Sequence, residues 1–247
     1  EVIMNALIFW GSNAIQRFRG MFSFSFYDSV ERELLVARDQ FGVKPLYYAW
    51  GQANFYFASE VTQLLICEGV DNSPEPQMVY EYLMSGAGDH TSNTMYKDIK
   101  QFPAGHYARF SIDDPSSFAV VPYWELDLQK RSNDTFDEAV IKVRKLFLES
   151  VSLHMRSDVK LGAALSGGID SSAIVCAMRS LYPELEIHTF SYIAEEEQIN
   201  EEEWVDIVND HVGARAHKVR ASVDELLFDL EDLIKTQGEP FGSTSIY

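Results

Sequence analysis

The sequence predicts an α/β protein in which a β-rich first half precedes a parallel sheet flanked by helices. Between residues 20 and 60, aromatic and β-branched segments alternate with short turns, which is typical of antiparallel strands. From residue 136 onward, short apolar segments alternate with amphipathic helical ones, an order that implies a parallel sheet covered by helices on both faces. A chain of 247 residues can form one large domain or two medium ones.

Composition and charge exclude several classes of protein. The formal net charge is −18, which argues against nucleic acid as the main ligand because DNA and RNA are bound by basic surfaces. No run of 18 apolar residues occurs, so no membrane span is predicted. The two cysteines, Cys67 and Cys176, are typical of buried thiols in a reducing compartment. We therefore predict a cytoplasmic protein with neither a nucleic-acid nor a membrane partner.

The first half contains six strand-like segments and two short helical ones. The stripe of Phe22, Phe24 and Phe26 predicts the buried face of one strand. Short connections at residues 28–32 and 51–53 favour an antiparallel meander. Arg38 and Asp39 precede a turn at Gly42, where we expect an ion pair or turn bonds that orient the sheet. The predicted strands are residues 21–27, 33–38, 45–50, 54–58, 105–112 and 120–126, and the helices are 60–66 and 77–84.

A polar segment at residues 129–135 has the composition of a linker, and the strand–helix alternation follows it. In sheets of this kind, ligands bind at the carboxyl ends of the strands. The predicted helices are residues 136–155, 170–181, 201–212 and 223–235, and the predicted strands are 159–165, 186–192 and 216–219.

The motif Ser166-Gly167-Gly168-Ile169-Asp170-Ser171-Ser172 lies between the first of these strands and its helix. Two glycines allow a sharp turn and a close approach to a ligand, and the helix start that follows offers free N–H groups to an anion. The three serines add hydroxyl groups, so the motif predicts a pyrophosphate site. Asp170 is explained either as a ligand of Mg²⁺, which bridges a carboxylate and a phosphate, or as a plain helix N-cap.

The segment from Leu165 to Ser172 resembles the PP-loop of ATP pyrophosphatases, which cleave ATP between the α- and β-phosphates. Two longer segments, residues 19–28 (RGMFSFSFYD) and 37–48 (ARDQFGVKPLYY), resemble glutamine-hydrolysing asparagine synthetases, as does Glu239-Pro240-Phe241. The resemblance implies the second part of an N-terminal-nucleophile glutaminase domain at residues 1–128. It further implies a linker at 129–135 and the first part of a PP-loop, adenine nucleotide α-hydrolase-like domain at 136–247.

In that family, ammonia released from glutamine attacks an aspartyl-adenylate. The resemblance therefore implies aspartate and glutamine as substrates, ATP and Mg²⁺ as cofactors, and leaves a homodimer open. By the same resemblance, the backbone at Leu165 and Tyr192 contacts the adenosine. Ser166, Gly167, Gly168, Ser171 and Ser172 are implied to bind the pyrophosphate, and Asp170 the metal.

Two departures from the family pattern matter. The family's nucleophile is an N-terminal Cys, and none stands at the start of this chain. We therefore expect the nucleophile upstream of Glu1, no catalytic residue within these 247 residues, and an inactive fragment of a longer protein. In addition, Asn200 stands where relatives carry a metal-binding Asp, unless the alignment is shifted there. We expect weaker Mg²⁺ binding unless Glu201 or Glu202 substitutes.

Three other functions stay open at this stage. A related enzyme could amidate a different carboxylate in a sugar or peptide, or close a lactam ring. A degenerate relative could bind nucleotide without catalysis, which Asn200 faintly suggests. A PP-loop enzyme that modifies tRNA is disfavoured by the acidic charge and the β-rich first half.

Overall fold

The computed structural model describes residues 1–52, 54–194, 200–220 and 222–241. The chain divides into two compact units. The described part of the first comprises residues 1–130 and 234–241, and that of the second comprises residues 131–233. No helix among the described residues is long and apolar enough to cross a membrane.

The first unit is built on two antiparallel sheets. One has the strand order β1-β2-β6-β7 and the other β4-β3-β5. Its strands are β1 (Ser23–Asp28), β2 (Glu33–Arg38), β3 (Tyr47–Trp50), β4 (Phe55–Ala58), β5 (Ile99–Gln101), β6 (His106–Ser111) and β7 (Val120–Pro122). Its helices are α1 (Val2–Trp10), α2 (Val61–Leu64) and α3 (Pro76–Ser85), with 3₁₀ turns at Gly11–Arg17 and Pro115–Ser117.

The predicted strands exist, but the predicted meander is wrong. The two hairpins β1–β2 and β3–β4 form as the short connections require, yet they lie in different sheets. The reason is that β2 pairs on its other side with β6, some 70 residues later in the chain, with Val36 opposite Ala108. The stripe of Phe22, Phe24 and Phe26 packs into the core with α1, as predicted.

The second unit contains a three-stranded parallel sheet of order β10-β9-β8, which confirms the predicted parallel sheet. Its strands are β8 (Gly162–Ala164), β9 (His188–Tyr192) and β10 (Arg215–Val219). Its helices are α4 (Phe136–His154), α5 (Ile169–Leu181), α6 (Glu202–Val212) and α7 (Val223–Gln237), which ends within the stretch assigned to the first unit. α4 begins at a capping box between Thr135 and Glu138.

Coverage of this sheet by helices on both faces, as the sequence predicted, is not found among the described residues. Thr189 and Ser191 of β9 are buried on the face that carries the core with Val175 and Val205. On the opposite face, Phe190 is 50% exposed. The alternation in β9 explains the error, because the strand order alone does not say whether one face or two will be packed.

Candidate functional site

The predicted anion-binding loop begins where β8 ends. The backbone N–H of Leu165 donates to the carbonyl of Phe190 at 2.9 Å, so the parallel pairing with β9 continues one residue beyond the strand. Leu165 is buried in the core of the unit, whereas Ser166 is exposed. The chain therefore leaves the core at Ser166 and turns directly into α5, at the carboxyl edge of the sheet where ligands of parallel sheets bind.

The turn depends on Gly167. Its φ of +79° lies in the left-handed region that residues with a Cβ rarely adopt. A Cβ at this position would lie 2.7 Å from the Cβ of Trp204 and 3.3 Å from the carbonyl oxygen of Glu201. The first turn of α6 therefore packs against the loop, and glycine is required for two independent reasons, conformation and space.

The loop leaves hydrogen-bonding groups open at the start of α5. The N-cap is Gly168, which has no side chain with which to cap the first turn. Ser166 Oγ and Ser171 Oγ lie 3.1 Å apart, and Ser171 Oγ also donates to the carbonyl of Gly168 at 3.2 Å. Ser172 Oγ is buried without a hydrogen-bond partner among the described residues. These features suit an anion, since uncapped N–H groups and the helix dipole both favour negative charge.

Asp170 is an exposed residue in the first turn of α5. It is not the N-cap, because Gly168 occupies that position, so the capping explanation of Asp170 is wrong. A carboxylate is a ligand type that Mg²⁺ prefers.

Asn200 lies immediately before α6, and its Oδ1 accepts a hydrogen bond from the backbone N–H of Glu202 at 2.8 Å. One lone pair of that oxygen is thus used by the helix start, which leaves the second for a metal ion. Within the described ranges, no three His, Cys, Asp or Glu side chains are grouped as a metal site. The roles of Asp170 and Asn200 as metal ligands stay predictions.

Tyr192, the last residue of β9, lies beside this edge of the sheet. After it, the N–H of Ile193 donates to the carbonyl of Val219 at 2.8 Å, which extends the pairing with β10. The structure therefore places the ends of β8 and β9 next to one another. The predicted contact of Leu165 and Tyr192 with adenosine stays a prediction.

An ion-pair network near the start of α6 was not predicted from the sequence. Lys218 contacts Glu202 at 2.7 Å and Asp206 at 2.5 Å, and Arg220 also pairs with Glu202. Hydrogen bonds from Arg220 and Lys218 lower the pKa of Glu202 to about 2. The carboxylate of Glu202 is therefore paired with Lys218 and Arg220. Of the two residues expected to substitute for Asn200, Glu201 is exposed and Glu202 is not. Residues 18 apart in sequence carry no local signal of such a network.

In the first unit, Arg38 and Asp39 form a buried turn. Asp39 is 1% exposed and accepts backbone N–H bonds from Phe22, Phe41, Val43 and Lys44 at 3.0–3.2 Å. Burial alone would raise the pKa of this carboxyl, but the four N–H donors outweigh it and lower the pKa.

The guanidinium of Arg38 donates to three backbone carbonyls, those of Gly42, Lys44 and Phe102, at 2.6–2.8 Å. The predicted turn bonds are confirmed, and both charged groups are used by the backbone rather than by each other. The two cysteines are free thiols that pack against the cores of their units, as predicted.

Comparisons with known proteins agree with a chain of two units, the first with antiparallel sheets and the second with a parallel sheet. Residues 1–124 match the glutamine amidotransferase domain family, and residues 142–247 match the asparagine synthase family. Asparagine synthetase [glutamine-hydrolyzing] 3 of Bacillus subtilis is 28% identical over 97% of this chain and 41% of its own length. A putative asparagine synthetase of Mycobacterium bovis is 31% identical over all of this chain and 38% of its own length.

A more limited match is to Amidase chyE of Penicillium rubens, which is 32% identical over 70% of this chain and 25% of its own length. The chain spans about two fifths of the length of the two synthetases. The amidotransferase match covers half of the sequence and contains the antiparallel sheets. The synthase match follows it and contains the parallel sheet. The chain therefore belongs to the family of glutamine-hydrolysing asparagine synthetases.

Proposed function

We propose that the protein carrying this chain is an ATP-dependent ligase that makes asparagine from aspartate, with glutamine as the nitrogen source. In this reaction the aspartate side-chain carboxylate attacks the α-phosphorus of ATP and pyrophosphate leaves. Water hydrolyses the side-chain amide of glutamine to glutamate and ammonia; the ammonia then attacks the acyl carbon of the aspartyl-adenylate, and AMP leaves. The observation that carries the proposal is the loop Ser166–Ser172, which joins a parallel strand to an uncapped helix start.

The serines and glycines of the loop each have a role in this scheme. The backbone N–H groups at the start of α5 bind the pyrophosphate and stabilise the negative charge that develops on it as it leaves. The hydroxyls of Ser166, Ser171 and Ser172 donate to the same oxygens. Gly167 and Gly168 let the backbone come within hydrogen-bonding distance, and the backbone at Leu165 and Tyr192 contacts the adenosine.

Asp170 and Asn200 would hold Mg²⁺ through carboxylate and amide oxygens. When bound, the ion neutralises phosphate charge and makes pyrophosphate a better leaving group. The amide brings no charge, so replacing Asn200 with Asp is expected to lower the Mg²⁺ concentration at which ATP binds half-maximally. Unchanged magnesium dependence in N200D would count against this pair of ligands.

We further propose that residues 1–128 form part of the glutaminase domain, residues 129–135 its linker, and residues 136–247 part of a PP-loop domain. The nucleophilic Cys of the glutaminase is expected outside these 247 residues. The two free cysteines suit a reducing compartment such as the cytoplasm. The homodimer is a separate expectation, which sedimentation of the natural protein would decide.

The test follows AMP, pyrophosphate and asparagine together in the natural protein that carries this chain, supplied with ATP, Mg²⁺, aspartate and glutamine. We expect AMP and asparagine in equal amounts, and no AMP without aspartate. A release of ADP in place of AMP would contradict α/β cleavage. The G167A variant is the control for the loop, because its added Cβ disturbs the loop. We expect this variant to retain glutamine hydrolysis and to lose AMP formation.

A second candidate is amidation of a different carboxylate, which the match to an amidase over 70% of the chain favours. It shares the loop chemistry and differs only in the acceptor. AMP that forms in the presence of another carboxylic acid and ignores aspartate would support it. Absence of AMP with every carboxylate would instead favour a nucleotide-binding relative without catalysis.

A further inference from the structure

The ion pairs of Glu202 join the start of α6 to the end of β10. Glu202 is the first residue of α6, Lys218 lies one residue before the end of β10, and Arg220 follows that strand. Nζ of Lys218 lies 2.7 Å from Oε1 of Glu202, and Arg220 donates to the same oxygen. The side chains of Glu202 and Lys218 are 25% and 24% exposed, so both charges are partly shielded from water. A carboxylate that meets two cations in such a network is held more firmly than one in a single exposed pair.

The residues next to Glu202 in sequence lie against the anion-binding loop. A Cβ at Gly167 would lie 2.7 Å from the Cβ of Trp204 and 3.3 Å from the carbonyl oxygen of Glu201. That carbonyl also accepts a hydrogen bond from the N–H of Trp204 at 3.1 Å. In addition, the N–H of Glu202 donates to Oδ1 of Asn200 at 2.8 Å. A shift of Glu202 would therefore move the groups that contact Gly167.

The first turn of α6 depends on Glu202 for its attachment to the sheet. The side chains of Glu201, Glu203 and Trp204 are exposed, and the first buried side chain of the helix is that of Val205. The N-cap residue, Glu201, makes no side-chain hydrogen bond to the first turn. In the part of the chain that the structure describes, the ion pairs of Glu202 are therefore the side-chain contacts that join this turn to β10 before Val205 enters the core.

We propose that Glu202 is a positioning residue for the nucleotide. Its ion pairs with Lys218 and Arg220 hold the first turn of α6 against Gly167, and so hold the loop in the conformation in which its backbone N–H groups bind the phosphates of ATP. Glu202 itself touches neither the nucleotide nor the reacting atoms. This inference rests on the proposed function, because it concerns the same loop. A preorganised loop binds phosphate without first having to become ordered, so loss of the network should lower the affinity for phosphate groups.

Two substitutions that break the same ion pair with opposite changes of charge test this role in the natural protein. E202Q removes a negative charge, and K218M removes a positive one. If the network acts through position, both variants lose affinity for Mg·ATP, and we expect a loss of about fivefold in each. If Lys218 and Arg220 act through their charge alone, E202Q frees two cations near an anion site and binds Mg·ATP more tightly. Calorimetric titration measures the affinity, and unchanged or tighter binding in E202Q overturns the proposal.

A control variant and two partial ligands separate positioning from general damage. D206N is the matched control, because Asp206 pairs with the same Lys218 but lies one turn later in α6 and is 50% exposed. We expect its affinity for Mg·ATP to stay within about twofold of the parent. The variants are also titrated with magnesium pyrophosphate and with adenosine, which is expected at the backbone of Leu165 and Tyr192. We expect E202Q and K218M to lose affinity for pyrophosphate and to retain it for adenosine. Equal losses for the two ligands would contradict a role specific to the loop.

Failure of this role is distinguishable from failure of the proposed function. A parent protein that binds neither Mg·ATP nor pyrophosphate contradicts the proposed function and, with it, the role of Glu202. A parent protein that binds both, with E202Q and K218M unchanged, contradicts the role of Glu202 alone.

Discussion

Two loops of this chain each follow a strand and combine glycine with polar residues, and they use their polar groups in opposite ways. Arg38 ends β2 and Asp39 begins the turn after it, and their side chains make seven hydrogen bonds to the backbone. The loop after β8 holds Asp170, which is exposed, and Ser172, whose hydroxyl has no partner in the described part of the structure. Each loop also contains a glycine with positive φ, Gly42 at +63° and Gly167 at +79°.

A structural loop and a binding loop thus differ in whether their polar groups are already hydrogen-bonded. A charged side chain that is buried and fully hydrogen-bonded stabilises the fold and has no capacity left for a ligand. A loop whose donors are uncapped keeps that capacity, at a cost in stability that a ligand can offset. The two loops differ in whether their polar groups are hydrogen-bonded within the protein, rather than in the residue types they contain.

The largest effect is expected from D39N, set against D170N. In D39N an NH₂ group replaces one carboxylate oxygen and faces backbone N–H groups, which leaves buried donors unpaired. We expect a loss of about 3 kcal/mol or more in the free energy of unfolding. In D170N, which changes an exposed side chain, we expect a change within about 0.5 kcal/mol. Urea denaturation followed by tryptophan fluorescence measures both, since Trp124 packs on Phe41 of this turn with ring centroids 5.1 Å apart and Trp204 lies against Gly167 of the other loop.

For the affinity for ATP, we expect the opposite order of the two variants. D170N is expected to weaken the binding of Mg·ATP, and D39N, measured below its denaturation midpoint, should leave it unchanged. Equal losses of stability in the two variants would show that the loops do not differ in the way their hydrogen bonds indicate.

The second effect concerns Gly167, with Gly213 as its matched control. Both have positive φ, at +79° and +61°, so an added Cβ strains the backbone at each by about 1 kcal/mol. At Gly213 nothing lies within 4 Å of that Cβ, whereas at Gly167 it meets Trp204. We expect G167A to lose at least ~1 kcal/mol more than G213A because α6 must shift. Urea titration followed by Trp204 fluorescence checks this, and equal losses would contradict the close packing of α6 on the loop.

The third prediction is the acid sensitivity of the turn after β2. The pKa of Asp39 is lowered in the folded protein, from an unfolded value of about 3.9. Its ionised form therefore contributes stability that is present above pH ~4 and is lost as the pH falls through the folded pKa. The difference in unfolding free energy between the parent and D39N should shrink as the pH falls from 6 to 3. A difference that stays constant over this range would show that the charge of Asp39 is not what the backbone amides stabilise.

Most strands and helices and the motif of the binding loop were predictable from the sequence because they depend on local patterns, whereas the three-residue strand β5 was not predicted. Phe22 and Phe24 alternate with polar residues, and the Ser166–Ser172 motif stands between a strand and a helix. What could not be predicted depends on contacts between distant residues. The pairing of β2 with β6 separates two hairpins that sequence alone would join, and Lys218 reaches Glu202 only because β10 and α6 are neighbours in the fold.

The same limit applies inside the candidate site. The sequence identifies Asp170 as a capping candidate, yet the cap falls two residues earlier at Gly168, which has no side chain to offer. The motif alone cannot tell whether the helix cap lies at Gly168 or at Asp170, because both positions are compatible with it. The consequence is functional, since a glycine at the cap leaves the first N–H groups open where an aspartate would have bound them.

The smallest change in stability is expected from S172A. The hydroxyl of Ser172 is buried without a partner in the described residues, so its removal should change the free energy of unfolding by less than about 0.5 kcal/mol. If that hydroxyl donates to a bound phosphate, its loss should weaken ATP binding by about tenfold, the value of one hydrogen bond to a charged group. S180A, an exposed position later in the same helix, should change neither quantity. Calorimetric titration with Mg·ATP measures the affinity. A variant that binds ATP as tightly as the parent would mean that Ser172 is left unpaired by the packing of α5, and that the anion site consists of the backbone amides, Ser166 and Ser171.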